Sequence, residues 1–209
     1  GDKGRTDGGN TAYDHCVYTR EEVQRLAKKG FELAMQRSKK LCCVDKANVL
    51  ETSRLWRETV QAMEKDYPEV TVSYEFVDAV AMRLVQWPNS YDVLITENLF
   101  GDILTDEASV ISGSMGLMPS ASIGLKTSLF EPIHGSYPQA AGKDIANPLA
   151  TVLSAAMMFE DAFQLKTEAQ AIRDVVNKSL AEGIVTEDLS DGGKSYKTSE
   201  VGDWLAAHV

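Results

Sequence analysis

The first half of the chain alternates between short apolar runs and longer segments with helical periodicity. From Thr19, apolar residues recur at intervals of three and four, and Glu22 stands at capping-box spacing from Thr19. Strands that alternate with helices of this length predict an α/β layered fold with a largely parallel sheet. The pattern predicts strands at 41–44, 70–76 and 92–96, and helices starting at Arg20 and spanning 52–66, 78–86 and 102–112.

The pattern changes after Gly113, where Gly, Pro and Ser become frequent. We therefore predict a domain boundary near Gly113. The opening segment 1–10 is rich in Gly and Asp, and it is predicted to be an exposed loop or arm. Beyond Gly113 the pattern predicts short strands at 120–123 and 128–131 and helices at 148–165, 167–182 and 198–207.

Composition is typical of a soluble globular protein. The chain has 209 residues, 44% of them hydrophobic and 25% charged, and a formal net charge of −10. This acidity argues against nucleic-acid binding, which usually requires a basic face. The most apolar stretch, 149–159, is about half the ~20 residues that a bilayer-crossing helix needs, so no membrane span is expected. Cys16, Cys42 and Cys43 make a poor disulfide framework, and we expect a reducing, cytoplasmic environment.

Two acidic residues in one predicted helix are candidates for metal binding. Asp102 and Asp106 are four residues apart, so both carboxylates lie on one helix face and repel each other unless a cation lies between them. A solvated acidic face is the alternative. Ile103, Leu104 and Ala108 predict a partly buried helix, where an unpaired acidic pair is costly. A hard cation such as Mg²⁺ or Mn²⁺ suits carboxylate oxygens better than zinc does.

Two more charged residues follow predicted strands. Asp78 comes directly after the strand at 70–76, at the end of a strand where α/β folds place their sites, although a plain helix N-cap is the alternative. Lys46 follows the strand at 41–44. It is either an ordinary loop cation or, in a desolvated cleft beside a metal, a general base.

The loop before the helix at 148–165 is a candidate phosphate site. Asn147 is predicted as the helix N-cap and Pro148 as its first residue, which leaves free N–H groups. These groups, with Gly135 and Ser136 nearby, could receive a pyrophosphate. A Gly/Pro loop followed by a capped helix is the alternative. The sequence has no GxGxxG motif, so a Rossmann site is not predicted.

Taken together, these segments resemble the β-decarboxylating dehydrogenases, and within that family the isopropylmalate dehydrogenases. The resemblance runs from about Thr19 to the last residue. It implies the layered αβα fold of this family, with a mostly parallel sheet and two domains. Residues 1–112 are then the central dimerisation domain with an N-terminal arm, and residues 113–209 are the C-terminal half of an NAD-binding domain. The matching segments are VDKANVLE (44–51), FVDAVAM (76–82), ENLFGDILTDEAS (97–109), GSMGLMPSAS (113–122), FEPIHGSYPQAAGKDIANP (130–148) and EGIVTEDL (182–189).

The resemblance also implies an activity: metal-dependent oxidative decarboxylation of 3-isopropylmalate to 2-oxoisocaproate, with reduction of NAD⁺, in leucine biosynthesis. Asp78, Asp102 and Asp106 are then the carboxylates that hold Mg²⁺ or Mn²⁺. Lys46 is the catalytic lysine and accepts the proton of the substrate hydroxyl. Lys46 and Asp78 reach across a homodimer interface into the active site of the partner.

The resemblance assigns the remaining site residues to substrate and cofactor. Asn48 and Val49 lie against substrate and nicotinamide, together with Lys46 and Asp78, and Val49 supplies apolar contact suited to an isopropyl group. The residues expected to bind NAD are Glu131, His134, Gly135, Ser136, Gln139 and Asn147.

Two departures from the family pattern affect the expected activity. Gln139 stands where NAD-dependent members usually have an aspartate, so we expect NAD with reduced stringency against NADP. The chain also begins at a glycine inside the family's pattern, and we expect a fragment that lacks roughly the first two fifths of the enzyme. Because the missing part carries the substrate-binding arginines and the catalytic tyrosine, we expect the fragment alone to be inactive.

Several alternative functions remain open. Within the family they are isocitrate, homoisocitrate and tartrate dehydrogenases, although the segments after Lys46 and at 182–189 favour isopropylmalate. A non-catalytic regulatory subunit is a different class, but it is expected to have lost the lysine or a metal aspartate. A purely structural module gives no reason for three carboxylates to converge.

Overall fold

The computed structural model describes residues 2–209 and has the α/β architecture that the sequence predicts. The chain divides into two compact units, of which the first ends at Glu107 and the second is Ala108–Val209. The division falls inside a helix, whereas the sequence places it at 112/113. Up to that helix the elements are β1 (Lys3–Thr6), β2 (Thr11–Asp14), α1 (Arg20–Gln36), β3 (Lys40–Asp45), α2 (Glu51–Met63), β4 (Thr71–Phe76), α3 (Val77–Gln86), β5 (Val93–Ile95) and α4 (Asn98–Ile111).

A three-stranded parallel sheet organises the first unit. Strand β3 lies in the middle, with β4 on one side and β5 on the other. The register places Asp45 opposite Phe76 and Cys43 opposite Ile95. The three strands therefore end at the same edge, and the chain leaves that edge into the Lys46 loop, α3 and α4.

Helices cover both faces of this sheet. The alternation of side chains along β3 turns Cys43 towards one face and Cys42 and Val44 towards the other. Helices α1 and α2 pack on the Cys43 face, and α3 and α4 contribute to the opposite core through residues such as Leu84 and Leu104. The first unit is thus a three-layer αβα structure, as the sequence predicts.

The N-terminus of α1 forms as its sequence predicts. Glu22 N–H donates to Thr19 Oγ1 at 3.3 Å, and Thr19 N–H donates to Glu22 Oε2 at 2.8 Å, which completes a capping box. These two bonds satisfy backbone donors that have no partner within the helix. The hydrogen bonds from Thr19 lower the pKa of Glu22.

The opening segment differs from its predicted structure. A loop or arm was expected, but β1 and β2 pair as an antiparallel hairpin in which Lys3 lies opposite Asp14. The turn contains residues with positive φ, among them Asp7 at 53° and Gly8 at 64°. The Gly and Asp residues that suggested a loop therefore form the tip of the hairpin. The hairpin is largely exposed, and Gly1 lies outside the described residues.

The second unit combines an antiparallel hairpin with three helices around a small core. Helix α5 is shorter than predicted, because a π-helical turn at Met158–Ala162 replaces its last part. The core includes Leu149, Val176 and Leu205. Within residues 2–209, no helix has both the length and the apolar character needed to cross a membrane. The elements of this unit are β6 (Pro119–Ile123), β7 (Ser128–Pro132), α5 (Leu149–Met157), α6 (Lys166–Glu182) and α7 (Thr198–His208).

Candidate functional site

The carboxyl ends of β3 and β4 bring Lys46 and Asp78 together. Lys46 Nζ donates to Asp78 Oδ1 at 2.5 Å, and this bond lowers the pKa of Asp78. Helix α3 begins at Val77, so Asp78 lies in its first turn rather than at the N-cap position. Lys46 Nζ also lies 5.5 Å from the ring centroid of Phe76, the last residue of β4. The two charged residues that the sequence placed at strand ends therefore form one ion pair.

A tight turn follows Lys46 and exposes the two predicted substrate residues. The Lys46 carbonyl accepts hydrogen bonds of 2.9 Å from the N–H groups of Val49 and Leu50. Asn48 and Val49 lie at the exposed side of this turn, and Val49 is 62% exposed. An apolar side chain held at the surface beside Lys46 is available for contact with a ligand.

An ion pair with a buried carboxylate adjoins Lys46, and neither of its residues was predicted to belong to the site. Asp45 is only 1% exposed, and its Oδ2 and Oδ1 accept hydrogen bonds from Arg57 Nε at 2.8 Å and Nη2 at 3.0 Å. These bonds raise the pKa of Arg57. In the sequence, Asp45 ends the apolar run LCCV and Arg57 adjoins the buried Trp56 of α2, but their spacing does not show that they pair.

Asp102 and Asp106 share an exposed face of α4. Asn98 Nδ2 donates to Asp102 Oδ2 at 2.9 Å. The helix is partly buried, as predicted, because Leu104 packs into the core, but Ile103 is 58% exposed and does not contribute. The helix thus turns its carboxylates and Ile103 outwards together.

The three predicted metal carboxylates do not form a site within one chain. Among residues 2–209, no group of three or more His, Cys, Asp or Glu side chains is arranged to hold a metal ion. Asp78 pairs with Lys46, while Asp102 and Asp106 stand on α4 at the i, i+4 spacing that suits two oxygen ligands of one cation. The three carboxylates suit a hard divalent cation chemically. In a single copy, however, Asp102 and Asp106 form a pair, and Asp78 is not grouped with them.

Exposed apolar side chains lie within one helical turn of these carboxylates along α3 and α4. Met82 lies one turn from Asp78 on α3 and is 63% exposed. Leu99 precedes Asp102 by one turn on α4 and is also largely exposed, as is Ile103. Three large exposed apolar side chains beside the predicted site residues are candidates for a contact surface.

The predicted cofactor residues lie on the loop that joins β7 to α5, except Glu131, which lies in β7. Glu131, Gly135, Ser136 and Gln139 are exposed, whereas His134 is partly buried, with Nδ1 3.1 Å from the Gly135 carbonyl oxygen. A Cβ added at Gly135 would meet no atom within 4 Å. The loop is therefore open around Gly135.

Asn147 does not leave the start of α5 free as predicted. The helix begins at Leu149 rather than Pro148, and Asn147 Oδ1 accepts the Leu149 N–H at 2.9 Å. The Asn147 amide donates to Asp188 Oδ2, also at 2.9 Å. The side chain of Asn147 is thus held in one orientation, and the first N–H of the helix is already capped.

Asp188, which was not predicted as a site residue, connects the cofactor loop to the segment before α7. Burial raises the pKa of Asp188, but hydrogen bonds from Ser114, Thr186 and Asn147 outweigh this effect and hold the pKa below its usual value. Asp144 makes a second connection: it accepts the N–H and hydroxyl of Ser199 in the first turn of α7 at 2.9 and 2.6 Å. The loop is therefore anchored at two points: Asn147 bonds Asp188, and Asp144 bonds Ser199.

Comparison with known proteins identifies the family. The family model described as isocitrate/isopropylmalate dehydrogenase matches residues 1–205. The chain belongs to this family. The resemblance inferred from the six sequence segments is therefore confirmed, and the isocitrate/isopropylmalate dehydrogenase family accounts for the α/β fold and the helices on both faces of the sheet.

Individual members of the isocitrate/isopropylmalate dehydrogenase family are similar along almost the whole chain. A 3-isopropylmalate dehydrogenase of Bacteroides fragilis (strain YCH46) is 56% identical over 199 residues, which are 95% of this chain and 56% of that protein. A 3-isopropylmalate dehydrogenase of Desulfitobacterium hafniense (strain Y51) is 52% identical over 99% of this chain and 59% of that protein. The crystal structure of isocitrate dehydrogenase from Methylococcus capsulatus has a TM-score of 0.92 at 35% identity, covering 99% of this chain and 62% of that one. The chain thus spans a little over half the length of the curated relatives that it matches.

Proposed function

We propose that this chain supplies the metal-binding and NAD-binding parts of a 3-isopropylmalate dehydrogenase. The reaction is oxidative decarboxylation of 3-isopropylmalate to 2-oxoisocaproate with reduction of NAD⁺, a step of leucine biosynthesis in the cytoplasm. The observation that carries the proposal is the Lys46–Asp78 ion pair at the carboxyl edge of the sheet, in a chain that is 56% identical to a relative of that name. The chain alone, which spans 56% of that relative, is proposed to be inactive.

We propose separate roles for the metal-binding carboxylates and for Lys46. Asp78, Asp102 and Asp106 hold the divalent metal, Mg²⁺ or Mn²⁺. When bound, the metal would stabilise negative charge that develops on substrate oxygen, and NAD⁺ is the oxidant. Lys46, in its neutral amine form, accepts the proton of the substrate hydroxyl, and the carboxylate of Asp78 orients Lys46 Nζ through the 2.5 Å hydrogen bond.

The exposed turn after β3 and the cofactor loop position the substrate and NAD. Val49 supplies apolar contact for the isopropyl group, and Asn48 lies beside it. Glu131, His134, Gly135, Ser136, Gln139 and Asn147 bind the adenosine and pyrophosphate of NAD. Gln139 is exposed and carries no charge to repel a 2′-phosphate, so we propose NAD with reduced stringency.

Two copies of the chain share their sites in the proposed homodimer. A single chain does not assemble three carboxylates, within residues 2–209, into a metal site. Met82 follows Asp78 by one helical turn, Leu99 precedes Asp102 by one turn, and both apolar side chains are exposed. A second copy that covers this surface would bury these side chains and bring its Asp78 to the Asp102–Asp106 pair.

Isocitrate dehydrogenase is the second candidate function. Its support is the solved isocitrate dehydrogenase of Methylococcus capsulatus, which superposes with a TM-score of 0.92. Its sequence identity is 35%, against 56% for the 3-isopropylmalate dehydrogenase of Bacteroides fragilis. We therefore propose isopropylmalate as the substrate.

The test is a chimaera that joins the unmatched N-terminal part of the Bacteroides fragilis relative to this chain. With Mn²⁺, NAD⁺ and 3-isopropylmalate it is expected to produce NADH, and Lys46→Ala is expected to lower kcat by about 10²–10⁴-fold. Lys39→Ala is the matched control, since Lys39 pairs with Glu69 at the other end of β3. A folded chimaera without turnover, or one whose kcat/KM for isocitrate exceeds that for 3-isopropylmalate, would contradict the proposal.

The cofactor assignment is tested with the same chimaera. A kcat/KM for NADP⁺ equal to or above that for NAD⁺ would refute it.

A further inference from the structure

The backbone on both sides of Lys46 is fixed by one buried carboxylate. Asp45 Oδ1 accepts the N–H of Ala47 at 2.9 Å, so the carboxylate of the residue before Lys46 bonds the residue after it. The same carboxylate accepts two hydrogen bonds from Arg57, which lies on α2. Helix α2 is thus tied to the two neighbours of Lys46 through a single side chain.

Arg57 reaches the same aromatic ring as Lys46. The Arg57 guanidinium carbon lies 5.2 Å from the centroid of Phe76 and 5.6 Å from that of Tyr74. Lys46 Nζ lies 5.5 Å from the Phe76 centroid. Phe76 stands opposite Asp45 in the sheet and precedes Asp78 by two residues. The Phe76 ring is therefore close to both Lys46 and Arg57, and it directly precedes the helix that carries Asp78.

The chemistry of Arg57 suits this place and that of lysine does not. A guanidinium donates two parallel hydrogen bonds in a fixed plane and stacks on aromatic rings, whereas an ammonium is a mobile point charge. The buried carboxylate of Asp45 has its hydrogen bonds from Arg57 and from the Ala47 N–H, and loss of the guanidinium would remove two of them. Removing the guanidinium would free Asp45 to turn towards water and take the 45–47 backbone with it.

We propose that Arg57 is a positioning residue that acts through Asp45 and Phe76 to hold the Lys46 ammonium against Asp78. The inference deepens the proposed function, because Lys46 is its proposed proton acceptor. The contact itself requires neither substrate nor cofactor, so it is testable in the 209-residue chain.

The test measures how fast Lys46 is acylated by limiting acetic anhydride at one fixed pH, by mass spectrometry. Lys39 is the internal reference, because its ion pair with Glu69 lies outside this cluster. In Arg57→Met, the Lys46-to-Lys39 rate ratio is expected to rise about two- to fivefold, the range for loss of a partly exposed ion pair. Arg57→Lys keeps the charge and protects the fold, and it is expected to raise the ratio as well.

The second arm separates positioning from general loosening of the structure. Asp78→Asn is expected to raise the ratio by itself, and adding Arg57→Met to it is expected to have no further effect, since both changes remove the same contact. Arg20→Met is the matched control, because Arg20 donates to Thr59 of α2 at 3.1 Å without touching the loop. Unchanged ratios in folded Arg57→Met and Arg57→Lys, or fully additive effects with Asp78→Asn, would overturn the proposal. An inactive chimaera whose Lys46 responds as described would count against the proposed reaction alone.

Discussion

Replacing Gly30 with alanine tests whether the packing of α1 fixes the strand that leads into the metal-binding helix. Gly30 is buried in α1, and an added Cβ would lie 2.3 Å from Cγ2 of Ile95 and 3.4 Å from Cδ1 of Leu41. Carbon atoms pack at about 3.5–4.0 Å, so Ile95 would have to move by more than about 1 Å. Ile95 is the last residue of β5, is 4% exposed, and carries a branched Cβ that restricts its rotation.

Two opposing effects set the size of the change. Alanine is favoured over glycine inside a helix by about 1 kcal/mol. Overpacking a well-packed core costs about 1–3 kcal/mol, and the upper end applies here because the clash involves a stiff, buried side chain. We therefore expect Gly30→Ala to lower the free energy of unfolding of the first unit by about 2 kcal/mol.

The assay is urea unfolding followed by tryptophan fluorescence in a Trp204→Phe background, so that emission comes from the first unit. Gly202→Ala is the matched control: it also lies in a helix, but in the second unit, where its Cβ would meet no atom within 4 Å, and it is expected to leave the unfolding of the first unit unchanged. In an Ile95→Ala background the clash is gone, and Gly30→Ala is expected to stabilise by up to about 1 kcal/mol. Stabilisation by Gly30→Ala in the presence of Ile95, or destabilisation in both backgrounds, would refute the reasoning.

Two further predictions concern pH and association. The folded pKa of Asp188 lies below its unfolded value, so its contribution to stability is present above the unfolded pKa of about 3.9 and is lost as pH falls through the folded pKa. The stability difference between wild type and Asp188→Asn, from urea unfolding, is therefore expected to shrink below about pH 4, and a pH-independent difference would contradict it. Ile103→Glu is expected to weaken self-association at least about tenfold in analytical ultracentrifugation. Leu125→Glu, at a fully exposed position of the second unit, is the control, and equal sedimentation of both variants would exclude the proposed interface.

Regular elements of the fold could be predicted because they rest on local chemistry. The Thr19–Glu22 capping box and the apolar strand at 41–44 depend on neighbouring residues, and both are confirmed. The hairpin at the start could not be predicted in this way. Its strands carry few β-branched or aromatic residues, and its pairing depends on the turn residues with positive φ.

The candidate site could be predicted only in part, because its geometry depends on contacts between distant segments. The strand order places Lys46 beside Asp78, and parallel topology makes that neighbourhood foreseeable. The partner of Asp45 lies on another element, so sequence spacing could not reveal the Asp45–Arg57 pair. The exposure of Ile103 was not predicted either. Periodicity identifies the apolar face of a helix, but it does not show whether that face packs within the same chain or is exposed at its surface.

Mn²⁺ binding to mixed variants tests the shared metal site most directly. Asp78→Asn and Asp102→Asn are each expected to bind Mn²⁺ at least about tenfold more weakly than wild type in isothermal titration. A mixed dimer of the two variants has one site with Asp78 from one copy and Asp102 and Asp106 from the other. After subunit exchange, an equal mixture is therefore expected to recover wild-type affinity at about a quarter of the sites. No recovery on mixing, or wild-type affinity in Asp78→Asn alone, would contradict a site shared between two copies.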